Sequence, residues 1–229
     1  MSHTLSRTLG DLVAEVPSRA TVLERLGLDY CCHGNRSVAD ACATAGLDPA
    51  TVAAELDQPA PATAQEDHPT DPAALVDHIE ATHHAYLHAE LPALEVLADK
   101  VANVHGARHA ELADVRRLVA ALRADLEPHL LKEERVLFPA IRALMTGARE
   151  FPFGTVQNPI RMMRLEHDQA GDLLAELRTV TGGYSVPDDG CASYRSLYER
   201  LVALESDTHV HIHLENNVLF PEASAIEAA

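Results

Sequence analysis

Two segments of the chain share one skeleton. "HLLKEERVLFP", from His129 to Pro139, and "HIHLENNVLFP", from His211 to Pro221, both read H-x-x-x-E-x-x-V-L-F-P. Residues four apart lie on one face of a helix, and imidazole and carboxylate are both ligands for first-row metals. A single pair of this kind is ordinarily a hydrogen-bonded couple on a solvated face. Here the pair is duplicated in register. An offset of 82 residues carries Val119, Leu122, His129, Glu133 and Leu137 onto Leu201, Leu204, His211, Glu215 and Leu219. Each pair also falls on an apolar stripe. Val119, Leu122, Leu126, His129, Glu133, Val136 and Ala140 follow a three-four spacing, as do Leu197, Leu201, Leu204, Thr208, His211, Glu215 and Val218. An ionised carboxylate facing a core is costly unless paired or bound to metal, so two of them demand a partner.

Other helices must complete the layer. His167 shares a face with Met163, Ala170, Gly171 and Leu174, and His84 shares one with Leu87, Leu91, Leu94 and Ala98. His84 and His167 are 83 residues apart, close to the offset between the halves, which favours His84 over the neighbouring His83 and His88. The layer then holds His84, His129, Glu133, His167, His211 and Glu215. Six such ligands are too many for one tetrahedral zinc and suit a pair of first-row ions, with each glutamate able to bridge. The open positions would take an oxo bridge and a small diatomic molecule. The stripes carry no cysteine, which argues against an iron–sulfur cluster in this layer. The ferritin-like Glu-x-x-His pattern is also absent, so the site is richer in nitrogen. His105 lies 21 residues beyond His84, about 30 Å along a helix, and belongs elsewhere. His105, His209 and His213 read as surface or packed side chains, and Cys42 and Cys191 as core or surface thiols.

The elements that must hold this layer are four long helical stretches, near 71–104, 108–145, 158–181 and 188–224, joined by short connections. They predict an up-down-up-down bundle. Asp71-Pro72 is a cap with proline in the first turn, and Gly182-Gly183 ends the third stretch. Pro92 and Pro128 should bend the helices that contain them. Residues 1–57 form several short helices with caps at Ser37 and Asp48, and make a small helical domain near the lower size limit for a core of its own. "QPAPATAQEDHPT" lacks periodicity and reads as a linker over 58–71. The bundle domain spans 72–229.

Composition agrees with this reading and narrows the function. The 229 residues are 47% apolar, with no Trp, four Phe and a net charge of −17. Such a surface repels phosphate backbones and argues against nucleic-acid binding. No run of eighteen apolar residues and no signal-peptide core are present, so a soluble cytoplasmic protein without membrane association is expected. Most of the fourteen histidines fall between His78 and His213. Cys31 and Cys32 are adjacent, a spacing that suits reactive or buried thiols better than a disulfide framework.

Taken in order, "HLLKEERVLFP", "LEHDQAG" and "HIHLENNVLFP" resemble the hemerythrin-like di-iron bundle. "LGLDYCCHGNRSVADAC" resembles the short domain that precedes that bundle in the repair-of-iron-centres family. Its members are bacterial cytoplasmic proteins implicated in restoring iron–sulfur clusters damaged by nitric oxide or oxidants. The resemblance implies an all-α fold, a hemerythrin-like four-helix bundle preceded by a small helical domain. It implies two non-haem iron ions, oxo- and carboxylate-bridged, on His84, His129, Glu133, His167, His211 and Glu215. Glu166 matches a family glutamate near the iron, as a support for a ligand or a gate. Cys31 and Cys32 match a thiol pair suited to transfer of metal or nitric oxide. The implied partners are damaged iron–sulfur proteins, nitric oxide and oxygen, with a homodimer also open. The alternatives on the same centre are a nitric oxide reductase, which would make the protein an oxidoreductase, and an oxygen or nitric oxide sensor. One departure stands out. The family motif has glycine where this chain has His33, a strained substitution if that position requires positive φ.

Overall fold

The computed structural model describes residues 3–58 and 68–229; residues 59–67 of the expected linker lie outside the described residues. Eight helices and no β-strand are found among the described residues. The first four are short: α1 (Leu9–Glu15), α2 (Arg19–Arg25), α3 (Val38–Ala45) and α4 (Pro49–Leu56). Ser37 accepts the Asp40 amide at the start of α3, and Asp48 accepts those of Ala50 and Thr51 at the start of α4, with Pro49 in the first turn. These are the caps that the side chains at 37 and 48 predict.

The four long helices are α5 (72–105), α6 (111–145), α7 (Gln157–Val180) and α8 (192–228). Each packs on its neighbours in sequence, and α8 closes the ring against α5. Asp71 caps α5, and glycines at φ 59° and 72° (Gly182, Gly183) follow α7. The fourth helix opens at Ala192 rather than at 188, because a turn from Pro187 to Gly190 comes first.

Three of these helices widen at the level of the metal-ligand candidates. Ala85 N–H bonds to the Glu80 carbonyl, Phe138 N–H to that of Glu133 and Phe220 N–H to that of Glu215, each five residues back. Such π-turns carry one extra residue and commonly occur at functional sites. In α6 and α8 a proline follows at once, Pro139 and Pro221. Proline has no N–H to give and its ring clashes with the carbonyl four residues back, so the ordinary ladder is already broken there. The extra residue turns the stripe. Beyond Glu133 the buried positions are Leu137, Phe138, Ala140, Ile141 and Leu144, whereas Val136 is 44% exposed. The expected place of Val136 in the core stripe is therefore corrected by the π-turn, and Val218 in α8 yields its place to Leu219 and Phe220.

The small helices pack against the middle of the bundle. One apolar cluster joins Leu9, Leu23, Val38 and Leu56 to Leu91, Leu126, Leu174 and Ile212. The approach is close at Gly34, where a Cβ would fall 2.2 Å from the Tyr30 carbonyl and 2.8 Å from Asn217 Oδ1. No helix among the described residues is long and apolar enough to cross a membrane.

Candidate metal centre

Glu133 and Glu215 open the π-turns of α6 and α8 or lie within them, and both are fully buried. Around them the bundle gathers four imidazoles, His84, His129, His167 and His211, each at most 2% exposed. Two groups result. His84, Glu133, His211 and Glu215 offer ligand atoms all within 4.8 Å of one another, and so do His129, Glu133, His167 and Glu215. Both carboxylates belong to both groups.

Several polar atoms of the layer have no adequate partners of their own. Nε2 of His84 faces Nε2 of His211 at 3.3 Å, and Nε2 of His167 faces that of His129 at 3.1 Å. Nε2 of His84 and of His129 are 3.5 Å and 3.4 Å from Glu133 Oε2. Glu215 Oε1 lies 3.0 Å from His211 Nε2. Its Oε2 lies 3.0 Å from His167 Nε2 but outside hydrogen-bonding geometry. Both oxygens of Glu133 are buried without a hydrogen bond. Unsatisfied buried polar atoms are rare and call for an ion or another explanation. The donor set, imidazole nitrogen and carboxylate oxygen, suits first-row metal ions.

Electrostatics prepares the imidazoles for this task. Burial lowers the pKa of His84 and His129, and lowers that of His211 to about 3, so these rings are neutral at physiological pH, the form in which imidazole can bind a metal. Burial and then the adjacent Glu215 push the Glu133 carboxyl well up. For Glu215 burial pushes in the same direction, but the imidazoles of His211 and His167 outweigh it and hold the group well below its usual range. Two carboxylates this deep cannot both carry charge without a cation between them.

Three of the four imidazoles are seated from behind. His129 Nδ1 meets Glu166 Oε2 at 2.9 Å, and Glu166 is paired with Lys132 at the surface. His129, and beside it burial and Lys132, set the balance that lowers the Glu166 carboxyl to about 2. His84 Nδ1 meets Glu134 at 3.1 Å, and His88 meets the same oxygen at 2.8 Å. His167 Nδ1 meets Asn216 Oδ1 at 3.1 Å. His211 Nδ1 has no hydrogen bond and is buried. Phenylalanines from the two Leu-Phe-Pro segments cover the layer: Phe138 stacks on His84 and Phe220 on His167. His83, the sequence alternative to His84, points to Asp207 instead at 2.9 Å.

The Cys31/Cys32 loop lies against this layer. Cys32 Sγ is 3.5 Å from the His167 carbonyl, and Asn216 and Asn217 donate to the Cys31 carbonyl at 3.3 Å. Asp29 Oδ1 accepts the amides of Cys31 and Cys32, both at 3.0 Å, and the Cys31 thiol at 3.3 Å. The two sulfurs are 3.7 Å apart and unbonded. Asp29, Cys31 and Cys32 form a third group able to hold a metal ion. The loop borders a cavity of about 240 Å³ that also touches Asp168, Gly171 and Arg178. His33 is not strained: among the described non-glycine residues only Tyr184 has positive φ, and His33 Nδ1 meets Asp29 Oδ2 at 2.6 Å. The glycine that the turn requires is Gly34.

Of the other histidines, His209 is half-buried beside Tyr30, and His213 is buried against the same ring. His105 lies elsewhere, next to Cys191. Sequence reasoning did not single out Glu134, Lys132 or Asn216. Charged and amide side chains outside the apolar stripe give no periodic signal, and only the adjacency of Asn216 to Glu215 marks it.

The family profile "Hemerythrin HHE cation binding domain" matches residues 75–223. A second profile, ScdA_N, "Domain of Unknown function (DUF542)", matches residues 5–60. The chain is similar to "Iron-sulfur cluster repair protein YtfE" of Citrobacter koseri, of Escherichia coli O157:H7 and of Shigella boydii. Each is 34% identical over 220 residues, 96% of this chain and 97% of the relative.

Proposed function

Because this chain belongs to the hemerythrin HHE cation-binding family, and to that of the iron–sulfur cluster repair proteins it matches along nearly its whole length, we propose that it repairs iron–sulfur clusters by supplying iron. The damage in question is nitrosative or oxidative, and the substrates are the damaged iron–sulfur proteins. The layer would hold two non-haem iron ions. His84 and His211 would hold one, His129 and His167 the other, and Glu133 and Glu215, which belong to both groups, would serve both. The observation that carries this reading is the sharing of two buried carboxylates by two otherwise separate imidazole pairs.

Iron in this layer is cargo as well as tenant. Imidazole and carboxylate hold ferrous iron less tightly than a thiolate cage holds zinc, and the ion remains exchangeable. The protein contributes orientation. Glu166, Glu134 and Asn216 fix the rings they touch, as outer hydrogen bonds do for metal-bound histidine generally. Glu166, which reaches the surface through Lys132, is suited to gate one side. The Cys31/Cys32 pair, in contact with the backbone of His167, is suited to receive iron on its way out. Four unpaired cysteines fit a cytoplasmic setting, where thiols stay reduced.

The test is reactivation of a nitric oxide-treated iron–sulfur dehydratase by the iron-loaded protein, with free ferrous iron at equal concentration as the baseline. We expect recovery well above that baseline and its loss in His129→Ala. Recovery no better than free iron defeats the reading. Catalytic formation of nitrous oxide without recovery would make the centre a reductase instead.

A further inference from the structure

At the end of the bundle remote from the metal layer, Cys191 caps α8. The thiol is exposed and sits at the N-terminus of the 22-residue segment Ala192–His213. The amides of the first helical turn and the positive end of the helix dipole favour an anion at such a position. A cap cysteine alone would carry no argument. Here an imidazole is aimed at it: His105, the last residue of α5, places Nε2 3.1 Å from Cys191 Sγ. His105 is only 5% exposed, and its Nδ1 is buried with no hydrogen bond, so the sulfur is the one hydrogen-bonding partner of the ring among the described residues. Burying an imidazole against a thiol at the cost of an unsatisfied nitrogen is hard to explain by packing. It is the arrangement that lets a base take a thiol proton.

We propose that Cys191 and His105 form a thiolate–imidazole pair that undergoes reversible exchange with low-molecular-weight disulfides. His105 Nε2 takes the thiol proton. The Cys191 sulfur attacks one sulfur of the disulfide, the new sulfur–sulfur bond forms as the old one breaks, and the other half leaves as a thiolate that takes a proton. The Cys191 sulfur is oxidised and the departing half reduced, so no further oxidant is needed. Return attack by a small thiol reverses the step.

The surroundings are compatible with an ionised sulfur. The Tyr194 amide lowers the Cys191 pKa against the opposing effect of burial, and the Ser193 amide and Lys100 add to the lowering. On the neighbouring elements His109 faces Asp189 at 2.9 Å and Glu111 at 3.2 Å, Arg108 faces Asp189 at 3.5 Å, and Glu111 also accepts from Tyr194. The nearby carboxylates thus have cationic or hydroxyl partners of their own. Cys31 contrasts with this: the Cys32 thiol, burial and Asp29 all push its pKa well up. The two cysteine sites therefore divide by chemistry. One is buried beside the metal layer and held as a thiol, and the other is exposed and poised as a thiolate. Cys191 is 20 residues from His211, about 30 Å along α8.

The test uses the full-length iron-loaded protein. Limiting iodoacetamide across pH 5–9, with mass mapping of each cysteine, should label Cys191 at least about tenfold faster than Cys31, Cys32 or Cys42 at pH 6.5. Its rate should rise with an inflection below the ordinary thiol value of about 8.5. Oxidised glutathione should add one tripeptide to Cys191, removable by reduced glutathione and absent in Cys191→Ser, with iron content unchanged. In His105→Gln, provided the variant melts cooperatively and retains its iron, labelling at pH 6.5 should fall about tenfold. Labelling of Cys191 with an ordinary inflection, or no adduct with oxidised glutathione, overturns the proposal. An inflection that stays low in His105→Gln removes His105 from it and leaves an uncoupled cap thiol, which also overturns the pair.

Discussion

The two groups of the metal layer use the same carboxylates and the same number of imidazoles, yet they are seated differently. Behind His129 and His167 stand Glu166 with Lys132, and Asn216 with the Cys31 carbonyl. Behind His84 stands Glu134, shared with His88, and behind His211 no hydrogen bond at all. The sequence repeat that builds the layer is nearly symmetric, whereas its connections outward are not. Both halves reach the surface through a carboxylate, Glu166 with Lys132 and Glu134 with His88. Only the His167 side is tied to the thiol loop of the small unit, and His211 is sealed by burial, which lowers its pKa to about 3. A layer built this way has a half suited to letting an ion go and a half suited to keeping one.

Substitution of a shared carboxylate should remove the distinction and have the largest effect. Glu133→Gln or Glu215→Gln takes a ligand from both groups at once, so iron content, expected at two per chain, should fall below about a tenth of that, with the helices retained by circular dichroism. Each amide also leaves a buried polar group among unpaired imidazoles, which costs about 1–3 kcal/mol and should lower the melting point further. Retention of one full iron by either variant would mean that the carboxylates are not shared.

A smaller and one-sided effect is expected at Asn216. Its side chain accepts from His167 Nδ1 through Oδ1 and donates through Nδ2 to the Cys31 carbonyl, so Asn216→Ala frees one imidazole and loosens the thiol loop together. Loss of an outer hydrogen bond to a metal-bound histidine commonly weakens binding by about 10- to 100-fold. In stopped-flow transfer of ferrous iron to a chelator, one of two phases should accelerate by at least about tenfold and the other stay unchanged. Acceleration of both phases would show that the halves are coupled and that their different seating does not separate them.

Much of the layer could be read before any coordinates. The two His-x-x-x-Glu pairs and His167 follow from the stripe each side chain shares with apolar residues, and the preference for His84 over His83 from its stripe together with the offset between the halves. Burial is a periodic property, and periodicity is visible in a single sequence. The caps at Ser37, Asp48 and Asp71 were legible for a different reason, since their side chains act within three residues. Hydrogen bonds across 37 to 185 residues, such as Glu166 with His129 or Asn216 with Cys31, leave no such trace. The same holds for His105 and Cys191, 86 residues apart, which read separately as an ordinary histidine and an unassigned thiol. The π-turns lie between these cases. Phe138-Pro139 and Phe220-Pro221 announce a broken ladder, but the turn at Glu80–His84 has no proline beside it.

The widened turns also give the smallest predicted effect, and one that tests whether both halves of the layer rest on the same local device. A regular helix would keep Val136 on the buried face three residues after Glu133, whereas the π-turn puts Leu137 there and leaves Val136 44% exposed. Val136→Ala should therefore change unfolding free energy by less than about 0.5 kcal/mol, as surface substitutions do. Leu137→Ala, at 1% exposure, should cost about 2–5 kcal/mol. Val218 and Leu219 should repeat the contrast in α8, where Val218 is half-buried and Leu219 is fully enclosed. Equal costs at 136 and 137 in chemical denaturation would mean that α6 runs regularly past Glu133. The carboxylate would then be aimed one residue's rotation away from Glu215, and the shared position of the two glutamates would be lost with the turn.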